Sequence, residues 1–135
     1  MRFDYTAPPP GALFGKPLMT MTLCHDGHEI TVSALVDSGA TISLLPYEMG
    51  RQLGFVWKEQ TIPLQLGGPL KGIPAVAVLV NGQISGLPET PLVMAWVAKT
   101  EYPIRPILGQ VNFFQQYKIT FEGYTNTFDV CPKPS

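Results

Sequence analysis

The stretch Ala34-Leu35-Val36-Asp37-Ser38-Gly39-Ala40 decides how the rest of the chain is read. Three apolar residues form the end of a strand and deliver an acidic side chain into a tight polar turn. Gly39 lets the backbone turn sharply and lets another segment approach closely. Ser38 can hydrogen-bond across such a turn. An Asp-Ser-Gly triplet alone is also how ordinary turns are built, so the flanks carry the weight. Upstream, Leu18–Cys24 (LMTMTLC) alternates apolar residues with threonines, the pattern of a half-buried strand. Glu29–Val36 returns with Ile30, Val32 and Ala34 on one face, and Asp26-Gly27 between them suits a hairpin turn. Downstream, Ile42-Ser43-Leu44-Leu45 is a second short apolar run.

Pro46–Leu53 then reads as a helix. Pro46 suits the first helical position, Glu48 the first turn and Arg51 the last. Leu45, Met49 and Leu53 recur on one face, and Gly54 can take the left-handed cap. Two strands follow, around Ile62–Leu66 and Ile73–Val80, with Gly67-Gly68-Pro69-Leu70-Lys71-Gly72 between them as a hairpin tip. Leu92–Ala98 is another strand, and Ile107-Leu108-Gly109 a short buried one. Asn112 with Gln115 has the pattern of a capping box opening a short helix, packed down by Phe113, Phe114 and Tyr117. Lys118–Phe121 and Thr125–Val130 close the chain as a hairpin around Glu122-Gly123. Residues 1–17 show little pattern and are read as an N-terminal arm, leaving 18–132 as one domain.

Composition narrows the classes. The 135 residues suit one domain, and 45% hydrophobic content supports a folded core. Thirteen glycines and 14 prolines imply many turns and short elements, hence a mainly β domain. Nine basic and ten acidic side chains leave a net charge of −1, without the basic footprint of a nucleic-acid binder. Only 14% of residues are charged, against about 25% in typical domains, so part of the surface is expected to be covered by a partner. The longest apolar runs, Ala75–Val80 and Leu92–Ala98, fall far short of the ~20 residues of a membrane span. The opening MRFDYTAPPPG lacks a charged patch followed by an apolar core, so a cytoplasmic chain is expected. In that setting Cys24 and Cys131 are expected to be free thiols. Cys24, His25, Asp26 and His28 lack the second ligand cluster that a zinc site needs, so no metal or other cofactor is expected.

About seventy residues separate the Asp37 turn from Ile107-Leu108-Gly109, with the glycine-rich tip between them. This arrangement resembles the retropepsin-like aspartic proteases, over roughly residues 18–130. Small bacterial members of that family resemble it most: Leu108-Gly109, Phe113-Phe114 and Thr120-Phe121 follow the order of their tails. The resemblance implies a closed β-barrel with two short helices, carrying one active-site half per chain. It implies Asp37 as the catalytic carboxylate, with Ser38, Gly39 and Ala40 supporting the loop. It also implies Gly67, Gly68, Pro69 and Leu70 as a substrate-covering flap, and Ile107, Leu108 and Gly109 as the strand beside the loop. Ser38 would tie the two active-site loops together, and Ala40 would accompany a mildly acidic optimum. Gln110 departs from the pattern, because viral members usually carry Arg shortly after this glycine, where it supports dimer contacts.

Peptide hydrolysis of this kind uses two carboxylates that share one proton and hold one water. Four aspartates are present, Asp4, Asp26, Asp37 and Asp129. Only Asp37 stands in the required turn, so a second copy must supply the partner, with the two-fold axis between the pair. Ser38 has no accompanying base, and His25 and His28 belong to a distant turn, which disfavours a Ser-His-Asp site. The expected function is a homodimeric aspartic endopeptidase acting on extended, largely apolar segments of a peptide or protein. The alternative is a peptide- or protein-binding module that keeps the fold with weak or no turnover. An oligomerising structural domain is a third reading.

Overall fold

The computed structural model describes residues 1–134. Its strands are β1 (Arg2–Asp4), β2 (Leu18–His25), β3 (His28–Val36), β4 (Ser43–Leu45), β5 (Pro63–Leu64), β6 (Ala75–Gln83), β7 (Thr90–Val97), β8 (Ile107–Leu108), β9 (Tyr117–Glu122) and β10 (Thr127–Pro132). Two short helices, α1 (Tyr47–Gln52) and α2 (Phe113–Gln116), and 3-10 turns at Trp57–Glu59 and Gly68–Leu70 complete it.

The alternation in β2 places Met19, Met21 and Leu23 in the core, and β3 adds Val32, Ala34 and Val36 to the same interior. Their hairpin turns on Asp26 and Gly27, whose φ values of 47° and 81° are both positive, the signature of a type I′ turn. The larger sheet runs β2-β3-β8-β4-β7-β6-β5, and β2 also pairs with β6 through Thr22–Gln83, Leu23–Gly82 and Cys24–Asn81. That second pairing closes the sheet into a mixed barrel and removes most of its edges. β5 stays outside the barrel, hydrogen-bonded only to β6. Pro63, which has no N–H to donate, is tolerated there because the strand is an edge.

Helix α1 lies against β3 and β7. Its buried residue is Gly50, and a side chain there would collide with the indole of Trp96. Trp96 is fully buried, and its Nε1–H donates to the Tyr47 carbonyl at 2.9 Å, so its one polar atom is satisfied. Gly54 ends the helix at φ 85°. A separate three-stranded sheet, β1-β10-β9, packs Phe3 and Tyr5 on Phe128 at ring distances of 5.3 and 6.1 Å.

Several local expectations change. Residues 2–4 are a strand rather than patternless arm, because three residues are too few to show a period and their partner lies at Thr127–Asp129. The strand expected over 62–66 contracts to Pro63–Leu64. Pro46 is the N-cap of α1, not its first helical residue. The capping box at Asn112 does not form: its Oδ1 accepts the Val93 N–H at 2.8 Å and its Nδ2 donates to Pro91 O at 3.2 Å. Asn112 therefore bridges to β7 instead of capping α2. Cys24 and Cys131 are free, and no helix among the described residues is long and apolar enough to cross a membrane.

Candidate active site

Strand β3 ends by handing its last hydrogen bonds to the segment around β8. Leu35 N–H donates to Pro106 O at 2.9 Å, and Asp37 N–H donates to Leu108 O at 3.0 Å. This parallel pairing fixes the backbone of Asp37 just where the strand gives way to the turn. One carboxylate oxygen of Asp37 accepts the Gly39 N–H at 2.9 Å, and its carbonyl accepts the Ala40 N–H at 3.2 Å. The aspartate thus closes its own turn while its side chain stays half-buried.

The turn is laced to the chain after β8. Gln110 N–H donates to Ala40 O and Val111 N–H to Thr41 O, each at 2.9 Å. The side-chain Nε2 of Gln110 donates to the Ser38 carbonyl at 2.8 Å. Gln110 therefore holds the Asp37 turn from within the same chain. Gly109 N–H donates to the buried hydroxyl of Ser43 at 3.0 Å, which fastens β8 to β4. Gly109 has no room for a side chain. A Cβ there would stand 2.8 Å from Ala40 O and 2.9 Å from both Ile42 C and Ile42 O.

The structure brings Gly39, Ala40, Ile107 and the Gly67–Leu70 tip to one place. They line a groove of about 680 Å³ together with Thr41, Ile42, Leu44, Leu64, Gln65, Leu66 and Val111. The lining comes from the turn after Asp37, from Leu44 of β4, from Ile107 and Val111, and from the β5–β6 hairpin. Asp37 is not on the lining itself but in the same turn, two residues before Gly39. Leu108 and Gly109 are buried and not on the lining. Ser38 is exposed, and among the described residues its hydroxyl makes no hydrogen bond; its carbonyl is the atom that is held.

The remaining aspartates are elsewhere. Asp26 lies at the far end of β3, roughly 30 Å away at strand rise. Asp4 and Asp129 belong to the small sheet, where Arg2 Nε is 4.0 Å from Asp129. One chain therefore offers one carboxylate in an Asp-Ser-Gly turn. The Cys24–Glu29 hairpin end forms a separate, smaller recess, in which burial, with the Glu89 and Glu29 carboxylates, pushes the Cys24 thiol up. Among the described residues, no three His, Cys, Asp or Glu side chains gather as a cation site.

Reading the sequence alone misses two residues of the site. Ser43 opens an apolar run and gives no sign that its hydroxyl will be buried against Gly109. Gln110 stands out only by not being Arg, and its hold on Ser38 depends on a contact across 72 residues.

No protein-family model and no curated protein matches this sequence. Solved structures do resemble it. A retropepsin-like aspartic protease from Rickettsia conorii superposes with a TM-score of 0.64 at 13% identity, covering 96% of this chain and 90% of that one. The retroviral protease-like domain of Ddi1 from Leishmania major gives a TM-score of 0.58 at 12% identity, covering 84% and 88% respectively. The EIAV protease, solved with the inhibitor HBY-793, gives 0.52 at 19% identity, covering 73% and 85%. With its closed barrel, two short helices and Asp-Ser-Gly turn held against β8, the chain has the retropepsin-like aspartic protease fold.

Proposed function

We propose that this chain is an aspartic endopeptidase whose catalytic centre is made from Asp37 of two identical copies. The observation that carries the reading is the Asp37 turn itself. The backbone of the turn that carries the half-buried Asp37 is held by β8 and Gln110 beside an apolar groove, and among the described residues no second aspartate stands in such a turn. Paired across a two-fold axis, the two Asp37 side chains would share one proton, since two adjacent carboxylates cannot both ionise comfortably. The ionised one takes a proton from the water between them as it attacks the scissile carbonyl. The protonated one donates to the carbonyl oxygen, giving the tetrahedral intermediate. Ile42, Leu44, Leu64, Leu66, Leu70 and Ile107 favour extended segments with apolar side chains, and the Gly67–Leu70 tip would cover them.

The test is cleavage of an unbiased peptide library by wild type and by Asp37→Asn. The substitution keeps size and removes the ionisable group, so turnover should fall by several orders of magnitude with the dimer still folded. Unchanged turnover in the variant would end the reading. Peptide capture by both proteins with turnover by neither would favour the binding-module alternative.

A further inference from the structure

Between β1 and β2 the chain makes a closed loop that the proposed mechanism does not use. Its base is fastened twice: Thr6 N–H donates to Lys16 O at 2.8 Å, and Lys16 N–H returns to the Thr6 hydroxyl at 2.9 Å. Ala12 N–H donates to Pro9 O at 3.0 Å inside the loop. Gly15 is buried against Thr6, where any side chain would overlap the Thr6 carbonyl. These contacts make the loop a built element rather than a loose terminus. Just past its Pro9–Ala12 turn stand Leu13 and Phe14, exposed to 94% and 68%. Single exposed apolar residues need no explanation, but two adjacent ones raised on a braced loop do.

The position of the loop supplies the explanation. Pro17 O accepts the Val36 N–H at 3.0 Å, so the loop leaves the barrel directly across from the residue before Asp37. Two Asp37 side chains that share one water bring the partner's surface to within a few ångströms of that point. An element rooted beside Val36, one residue before Asp37, then lies within reach of the second copy. We propose that the 6–16 loop is a dimer clasp, laying Leu13 and Phe14 of each chain on the other. This inference rests on the two-chain reading of the site. Four such side chains, two from each copy, would bury several hundred Å², a substantial share of the roughly 1,600 Å² of a standard interface.

The experiment is sedimentation equilibrium, with subunit exchange between differently labelled chains where the dimer is too tight to dilute. It compares wild type with Leu13→Ser/Phe14→Ser and with the milder Leu13→Ser. Both sites are on the surface, so the diluted monomer should keep its circular dichroism spectrum. The double variant should weaken dimerisation on the order of 100-fold, or speed exchange to match, and the single variant by less. A wild-type dimer whose dissociation and exchange are unmoved by the double variant overturns the clasp and leaves the two-chain site standing. A wild-type chain that stays monomeric throughout overturns the two-chain reading and the clasp with it.

Discussion

Replacing Gly109 by alanine would add one carbon where β8 meets the active-site loop. The new Cβ would stand 2.8–2.9 Å from Ala40 O, Ile42 C and Ile42 O, about 0.5 Å or more inside ordinary contact. All three atoms are backbone, so no side chain can rotate away. The loop is pinned at Ala40 O by Gln110 N–H, and the β8 side is pinned by Asp37 N–H on Leu108 O. Relief must come from moving one backbone against the other. Overpacking of this kind costs about 1–3 kcal/mol, which for a chain of this length lowers Tm by about 4–12 °C. The displaced segment carries Ala40 and Ile42 on the groove and follows Asp37 directly, so the reaction should suffer too. On the function proposed above, a shift of about half an ångström in the Asp37 turn implies kcat/KM lower by about tenfold or more. Gly123→Ala is the control, since a Cβ there meets nothing within 4 Å. Calorimetry at fixed protein concentration and initial rates on a cleaved peptide measure both effects. A Tm within about 1 °C of wild type, with unchanged kcat/KM, would refute the claim that Gly109 is required by close approach.

Mixing wild type with an equal amount of Asp37→Asn, under confirmed exchange, should leave about a quarter of the dimers fully wild type and halve activity per wild-type chain. Constant activity per wild-type chain would count against a shared centre. A mechanism that needs one proton shared between two carboxylates predicts a rate that falls towards both ends of the pH range; a rate that climbs steadily into alkali contradicts this. The third concerns Glu122, whose carboxylate is held below its usual range by the Tyr124 hydroxyl and then by Arg2, at 2.7 and 3.0 Å. A lowered folded value stabilises above the ordinary carboxylate range and loses that contribution as pH falls through the lowered value. Glu122→Gln should therefore narrow the Tm gap between neutral and acidic pH slightly; a gap that widens would be the wrong sign.

How much was legible in the sequence follows the range of each interaction. The β2–β3 hairpin is local: alternation sets its faces, and Asp26-Gly27 sets its turn, so both appear in the sequence as they do in the fold. The same holds for α1 and its Gly54 stop. The barrel itself depends on pairings such as Leu35 with Ile107 and Thr22 with Gln83, which no local period records. The resemblance carried by Asp37-Ser38-Gly39 and Ile107-Leu108-Gly109 implies a closed barrel with the 107–109 strand beside the Asp37 turn, but nothing in the sequence marks the Thr22–Gln83 pairing that closes it. Asn112 shows the limit in a single residue. Its spacing to Gln115 fits a helix cap, yet β7 offers Val93 N–H and Pro91 O to the same amide, and the tertiary partners win. Gly109 shows the converse. A glycine after two apolar residues looks like a strand end from sequence, whereas its reason lies in the carbonyls of Ala40 and Ile42 packed against it. The turn that carries Asp37 is local in composition but non-local in support, since its hydrogen bonds run to Leu108, Gln110 and Val111. The backbone of the turn is thus fixed from outside the loop, while the Asp37 carboxylate is oriented inside it by the Gly39 N–H, so its place depends on both ranges of interaction at once.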